Sequence, residues 1–398
     1  MTKLSIDDLA LKGKTVLMRV DFNVPLDTHR TITDDLRIRA ALPSINRIVA
    51  DGGRAVLCSH LGRPKGERKP EFSLKPVADH LATLIDAPVT FADDCIGETV
   101  DGLKSALKDG EVLLLENLRY HKGETDNDPE FARALAAGCD LYINDAFGSA
   151  HRAHASTEGV TRYFDRNAAG YLMEKELRYL GEAVGNPRRP FVAILGGAKI
   201  SGKIDVIENL LEKTDALIVG GGMIFTFFKA HGWEIGKSIL EEERLEMAKA
   251  LLAKAEDSKT ELLLPVDVVV ADKFEAGART ETVGVSEIPA DMLGVDIGPR
   301  TIEHFKGVLK EAQTVVWNGP MGVFEIPDFA NGTEEIARFL AEITEAGATT
   351  IVGGGDSAAA VKQFNLEGQL SHVSTGGGAS LEFLEGKTLP GVAALSDK

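Results

Sequence analysis

The chain has 398 residues, 44% of them hydrophobic and 26% charged, and a net charge of −17. That length exceeds one ordinary core and implies two domains, and the composition is globular rather than disordered or fibrous. An acidic chain without a basic tract is a poor partner for nucleic acid or an anionic membrane surface. The acidity is uneven: 24 Lys and Arg face 29 Asp and Glu in residues 1–187, against 20 and 32 in the remainder. Cys58, Cys95 and Cys139 are widely spaced, with neither a C-x-x-C pair nor an even framework, as expected of a reducing compartment. The opening MTKLSIDDLALKGKTV lacks the apolar stretch of a signal peptide. No uncharged apolar run approaches roughly 18 residues. A cytoplasmic protein with no membrane partner is expected.

Short β-branched runs recur, each followed by a turn and a stretch of helical period. In the first half they are Thr15–Val20, Arg54–Ser59, Pro88–Phe91, Val112–Leu115 and Leu141–Ile143. In the second they are Phe191–Leu195, Ala216–Val219, Leu262–Leu264 running on through Val268–Val270, Thr314–Trp317, Thr349–Val352 and His372–Val373. Strands alternating with helices predict α/β architecture, with parallel sheets covered on both faces. An amphipathic helix is expected over 168–185, closed by Gly185 and followed by Asn186-Pro187-Arg188-Arg189-Pro190, a link between domains. The expected division is a first lobe over 1–170, a connecting helix and hinge over 171–189, and a second lobe over 190–389.

Ligands of open parallel sheets bind beyond the carboxyl ends of the strands. In the first half those ends carry Asp21-Phe22-Asn23, His60-Leu61-Gly62-Arg63, Glu116-Asn117-Leu118-Arg119, and a segment holding Asp145, His151, Arg152 and His154. Arg37 opens a helix beside the same edge. Guanidinium forks match phosphate and carboxylate oxygens, so a small, multiply charged anion is expected. Singly, each such residue reads as surface or scaffold; their common placement makes the set. Asp145 reads as a turn or helix cap, and Arg39 as solvent-facing.

The second half places glycines at its strand ends: Gly196-Gly197, Gly220-Gly221-Gly222, Gly353-Gly354-Gly355 and Gly376-Gly377-Gly378. A further turn carries Asn318, Gly319, Pro320 and Gly322 and runs on to Glu325. Glycine between strand and helix lets backbone approach a phosphate at the helix N-terminus. One triplet alone reads as a tight turn; four predict a nucleotide. Asp356-Ser357 reads as an N-cap or, in a phosphate site, as a carboxylate for Mg²⁺.

From Gly197 the chain reads G-x-x-x-x-G-K, but Ile204 stands where a P-loop needs Ser or Thr. Lys199 and Lys203, four apart, are expected at the start of one helix, where they oppose its dipole unless an anion binds.

Nine stretches extend these motifs: RVDFNVP (19–25), SHLGRP (59–64), LLENLRY (114–120), NDAFGSAHRAHAS (144–156), PFVAILGGAKISGKI (190–204), GGGMIFTF (220–227), WNGPMGVFE (317–325), VGGGDS (352–357) and STGGGASLEFLEG (374–386). With them the chain resembles the phosphoglycerate kinase family over nearly its full length. The resemblance implies two Rossmann-like lobes, each a mostly parallel six-stranded sheet, with residues 390–398 packing back on the first. It implies Mg²⁺-dependent, reversible phosphoryl transfer between 1,3-bisphosphoglycerate and ADP, giving 3-phosphoglycerate and ATP, in line and on lobe closure, by a monomer. It implies 3-phosphoglycerate ligands at Asp21, Phe22, Asn23, Arg37, His60, Leu61, Gly62, Arg63, Arg119 and Arg152. Nucleotide roles are implied for Gly197, Lys203, Gly221, Asn318, Glu325, Gly353, Gly354, Gly355, Asp356 (which also holds the metal) and Ser357. Arg37, Lys199 and Lys203 are implied as catalytic. Ser357 stands where many members carry Thr, and the loop 26–33 varies freely. A P-loop NTPase and a non-catalytic two-lobed binding protein are the alternatives; Ile204 opposes the first and the absent signal peptide the second.

Overall fold

A computed structural model describes residues 3–398. The chain divides into two compact units: one formed by residues up to Arg178 with Thr388–Lys398, the other by Tyr179–Lys387.

Unit 1 contains β1 (Thr15–Val20), β2 (Arg54–Cys58), β3 (Val89–Phe91), β4 (Val112–Leu114), β5 (Leu141–Asp145) and β6 (Asn167–Ala169). They form one sheet in the order β3-β4-β2-β1-β5-β6, and every pairing is parallel. All six residues of central β1 are buried, which is why it reads as a continuous run rather than an alternating one. The core gathers Val16, Met18, Val20, Leu57 and Ile143 against Ile38, Ile45 and Ile48 of helix Leu36–Ala50. The segment after Thr388 is stitched to the same unit. Leu4 N–H donates to Ser396 O at 2.8 Å, Ser396 N–H to Asn167 O at 2.9 Å and Gly391 N–H to Ala150 O at 2.8 Å.

Unit 2 contains β7 (Phe191–Leu195), β8 (Ala216–Val219), β9 (Glu261–Leu263), β10 (Asp267–Ala271), β11 (Thr280–Gly284), β12 (Leu293–Ile297), β13 (Thr314–Asn318), β14 (Thr349–Gly353) and β15 (His372–Val373). Six make a sheet in the order β15-β14-β13-β7-β8-β9, and β11-β10-β12 make a separate three-stranded sheet. The large sheet is parallel throughout; the small one is antiparallel. Trp317, fully buried, sits in the core with Phe305, Leu309, Ile336 and Leu340.

Three differences from the sequence expectation have local causes. The apolar run 262–270 is two strands in two different sheets, parted at Pro265, which lacks the N–H a ladder needs. β6, β11 and β12 were not expected; β6 is Asn-Ala-Ala and β11 is Thr-Glu-Thr-Val-Gly, largely exposed, so neither carries an apolar run. The expected helix 168–185 begins at Tyr171 because Ala168 and Ala169 belong to β6.

Candidate active site

In unit 1 the strand ends converge as a set. Asp21, at the end of β1, accepts from Arg37 Nη1 at 3.0 Å, and its side chain is only 4% exposed. Asn23 Oδ1 accepts from Gly62 N–H at 2.8 Å, and Phe22 N–H donates to Ser59 Oγ at 2.9 Å. The turns after β1 and β2 are thereby tied together. Gly62 has φ +61°, and a Cβ there would lie 2.4 Å from the Phe72 ring. Arg119 Nη1 donates to Gly62 O at 2.8 Å. Asn117 holds that turn from below, its Nδ2 donating to Leu61 O at 2.7 Å and Phe72 O at 2.8 Å. Leaving one of those carbonyls unpaired costs about 1–3 kcal/mol.

A cavity of about 410 Å³ is lined by Arg63, Arg119, Arg152, Lys65, Lys122, Gly66 and Thr125. Five cations around one cavity in an acidic protein suit a small, multiply charged anion. Burial, then the Arg19 and Arg152 guanidiniums, press Arg119 down to about 10. Burial, then Arg119 and Arg19, press His154 down to about 4. His60 is held well below its usual value by burial and then by Arg19, Arg119 and Arg37.

The side chain that sequence reasoning passed over is Arg19. It is fully buried in β1 and donates through Nε to Ser156 Oγ at 2.8 Å, while Ser156 Oγ donates to Glu124 Oε1 at 2.7 Å. Its Nη2 stands 3.0 Å from His60 Nδ1. Guanidinium only donates, so Nδ1 is the acceptor and the imidazole proton lies on Nε2. Arginine inside an otherwise apolar central strand was the available signal. Asp145 accepts from Met173 N–H at 3.0 Å, in the first turn of helix Tyr171–Gly185, so it is the helix cap its position suggested. Arg39 is exposed and paired with Asp35.

In unit 2 the glycine turns after β7, β8 and β13 press backbone on backbone. A Cβ on Gly196 would lie 2.1 Å from Pro320 O. Gly221 has φ +69°, and a Cβ there would lie 2.4 Å from Gly197 N. Beside them is a cavity of about 430 Å³ whose walls include Gly197, Gly221, Glu325 and Asp356, with the apolar side chains of Phe225, Phe274, Leu293 and Val323. Polar groups at one side and apolar walls at the other suit a nucleoside with its phosphates.

Lys203, Asn318, Gly353, Gly354, Gly355 and Ser357 are not in that cavity wall but are linked to one another. Lys203 Nζ donates to Asn318 Oδ1, and Gly354, φ +94°, lies against the Asn318 amide. Gly354 is also the N-cap of helix Gly355–Gln363. Ser357 is buried and its Oγ accepts from Gly319 N–H at 2.6 Å, so this hydroxyl braces one turn against the other. Burial lowers Lys203 to about 8, opposed by the carboxylates of Asp356 and Glu385.

The two lysines are not on one helix. The helix begins at Ile204, with Lys203 as N-cap; Lys199 lies exposed in the turn before it. The glycines at 196, 197 and 202 delay helix nucleation by almost a turn and a half. Asp267, after an apolar run where a P-loop NTPase would carry a metal-binding acid, is structural: its Oδ1 accepts from Thr301 N–H at 2.8 Å and from Thr301 Oγ1 at 2.7 Å.

A class follows from these geometries. Enzymes that move a phosphoryl group between small anions hold one reactant by cationic forks and the nucleotide by glycine turns at strand ends, and both halves are present. A family model described as phosphoglycerate kinase matches residues 6–387. The chain is 59% identical to the phosphoglycerate kinase of Chloroherpeton thalassium and 60% identical to that of Chlorobaculum tepidum, over 397 residues and all of both chains in each case. It is similar to the solved phosphoglycerate kinase of Coxiella burnetii, with 43% identity, a TM-score of 0.88 and 98% of each chain covered. That of Pyrococcus horikoshii gives 31%, 0.81 and 98% of each chain. The chain belongs to the phosphoglycerate kinase family. It is a kinase, and no helix among its described residues is long and apolar enough to cross a membrane.

Proposed function

We propose that the protein transfers a phosphoryl group reversibly between the acyl phosphate of 1,3-bisphosphoglycerate and ADP, yielding 3-phosphoglycerate and ATP. The observation that carries this reading is the five-cation cavity of unit 1, in a chain whose curated relatives of equal length are phosphoglycerate kinases. Asp21, Asn23, Arg37, His60, Arg63, Arg119 and Arg152 hold the phosphoglycerate. Phe22, Leu61 and Gly62 supply the backbone that positions them. Gly197, Gly221 and Glu325 receive the nucleoside, with Asn318, Ser357 and the 353–355 turn supporting the phosphate end.

Phosphoryl transfer asks the protein for alignment and charge stabilisation rather than covalent work. Arg37, already oriented by Asp21, and the exposed Lys199 are assigned to the transferring group. Lys203, desolvated but countered by Asp356, gains full charge when an anion arrives. No general base is needed, because the attacking oxygen is already anionic.

Asp356 fits a Mg²⁺ ion carried in by the nucleotide: it is an exposed carboxylate at a helix start, in the cavity wall, and Mg²⁺ is held by one or two carboxylates plus phosphates. When bound, the ion neutralises phosphate charge. We assign the enzyme to the cytoplasm as a monomer. The test supplies ATP, Mg²⁺ and 3-phosphoglycerate and follows NADH loss through a coupling dehydrogenase. Loss of NADH that requires both substrates supports the assignment; none at ample enzyme overturns it.

A further inference from the structure

A cluster in unit 1 lies outside the anion cavity. Asp94 and Cys95 follow β3, and His121 follows the short turn Leu118–Tyr120. Each offers one donor atom, and the three atoms all lie within 4.8 Å of one another. His121 Nε2 stands 2.7 Å from Asp94 Oδ1, and the Cys95 backbone N–H donates to the same oxygen at 2.7 Å. An ion pair between two loops accounts for Asp94 and His121. It does not account for a buried thiol whose sulfur lies within 4.8 Å of both partners' donor atoms.

We propose that Asp94, Cys95 and His121 form a binding site for a zinc-class divalent cation, with a fourth position open to water. Thiolate and imidazole select zinc over magnesium, which separates this ion from the one the nucleotide brings. Carboxylate and thiolate together balance its two charges. The ion replaces two protons: the thiol proton leaves to solvent as the sulfur–metal bond forms, and the imidazole proton that Nε2 shares with Asp94 shifts to Nδ1, freeing the Nε2 lone pair for the metal. Zinc–sulfur and zinc–nitrogen bonds of about 2.3 and 2.0 Å set donor separations on the order of 3.5 Å in a tetrahedron, so closing the site takes a shift of about an ångström. Cys95 supplies its sulfur from inside, while the Asp94 and His121 side chains are 45% and 32% exposed, leaving the open position on the solvent side. The Phe131 ring, 5.4 Å from the His121 ring, limits rotation of the imidazole. His121 is two residues past Arg119, so the ion ties the segment presenting that guanidinium to the β3 loop.

The experiment titrates the full chain, free of nucleotide and magnesium, with Co²⁺ and records the near-ultraviolet spectrum. A thiolate-to-cobalt charge-transfer band saturating at one equivalent and displaced by Zn²⁺ is expected. Cys95→Ser abolishes it, His121→Gln weakens binding about tenfold or more, and Cys58→Ser leaves it intact. No band at one equivalent, or a band that survives in Cys95→Ser, overturns the site. If Cys95→Ser fails to fold, unchanged affinity in His121→Gln overturns it equally. Phosphotransferase activity is a separate readout, so a missing band leaves the proposed reaction standing.

Discussion

Charged side chains line the cavity of unit 1, whereas glycine backbone shapes the turns beside the cavity of unit 2. Arg63, Arg119 and Arg152 reach into the first cavity from loops, each replaceable one at a time with a graded loss of charge. In unit 2 the turns at Gly196, Gly221 and Gly319 are in main-chain contact, so no residue with a Cβ fits without moving its neighbour. A site made of side chains is tuned by charge, whereas a site made of backbone is set by packing. The two units share a parallel six-stranded plan and differ in which part of the polypeptide shapes the cavity.

The largest effect tests that contrast directly. Arg37→Ala should lower kcat by about 10³-fold or more, on the scale of an arginine finger, while the protein still melts cooperatively and nucleotide affinity is unchanged. Near-normal turnover would remove Arg37 from the reaction. Gly221→Ala comes next: with φ +69° and a Cβ 2.4 Å from Gly197 N, it should weaken ADP binding by at least about tenfold and also lower Tm, since backbone rather than a flexible tip must move. Calorimetry reads both, and unaltered ADP affinity would break the contrast.

A smaller effect lies at Lys203, lowered to about 8 by burial. An anionic nucleotide favours its charged form, so ADP binding near pH 8.5 should take up protons and binding near pH 6.5 should not. Calorimetry in buffers of different ionisation enthalpy measures the difference, and its absence in Lys203→Met assigns it.

The smallest expected effect concerns two buried carboxyls, one in each unit. Burial raises Asp145 to about 6 and Asp296 to about 7 from 3.8. The folded state therefore binds more protons than the unfolded chain between 3.8 and those values, and each group's contribution to stability declines as pH rises through that window. The slope is at most about 1.4 kcal/mol per pH unit for each group. Asp296→Asn should flatten the fall of Tm between pH 5 and 7; an unchanged profile would show that the carboxyl is ionised throughout. Asp145→Asn should act over the narrower window below pH 6.

Most strands of the two large sheets were legible because strands buried on both faces are unbroken apolar runs. β1, β7, β8 and β15 match their expected limits residue for residue. The small antiparallel sheet was not legible: β11 is mostly exposed and polar, and its pairing with β10 is a matter of tertiary contact. At the sites, residue types and strand-end positions were visible, but support was not. Nothing local in Ser357 announces that it accepts from Gly319 N–H 38 positions back. Nor could spacing place Lys199, because four residues fix a helical face only where a helix exists, and here the helix starts after Lys203.

The stitching of Ser396 and Gly391 to Leu4, Asn167 and Ala150 makes the first unit depend on residues from the far end of the chain. Unit 2 is one uninterrupted stretch, Tyr179–Lys387, while unit 1 is closed by residues that follow it. Unit 2 is thus complete in sequence before unit 1 receives its last segment. A chain ending at Lys387 would hold the whole of the second unit and a first unit lacking the hydrogen bonds that cover Leu4 and Asn167.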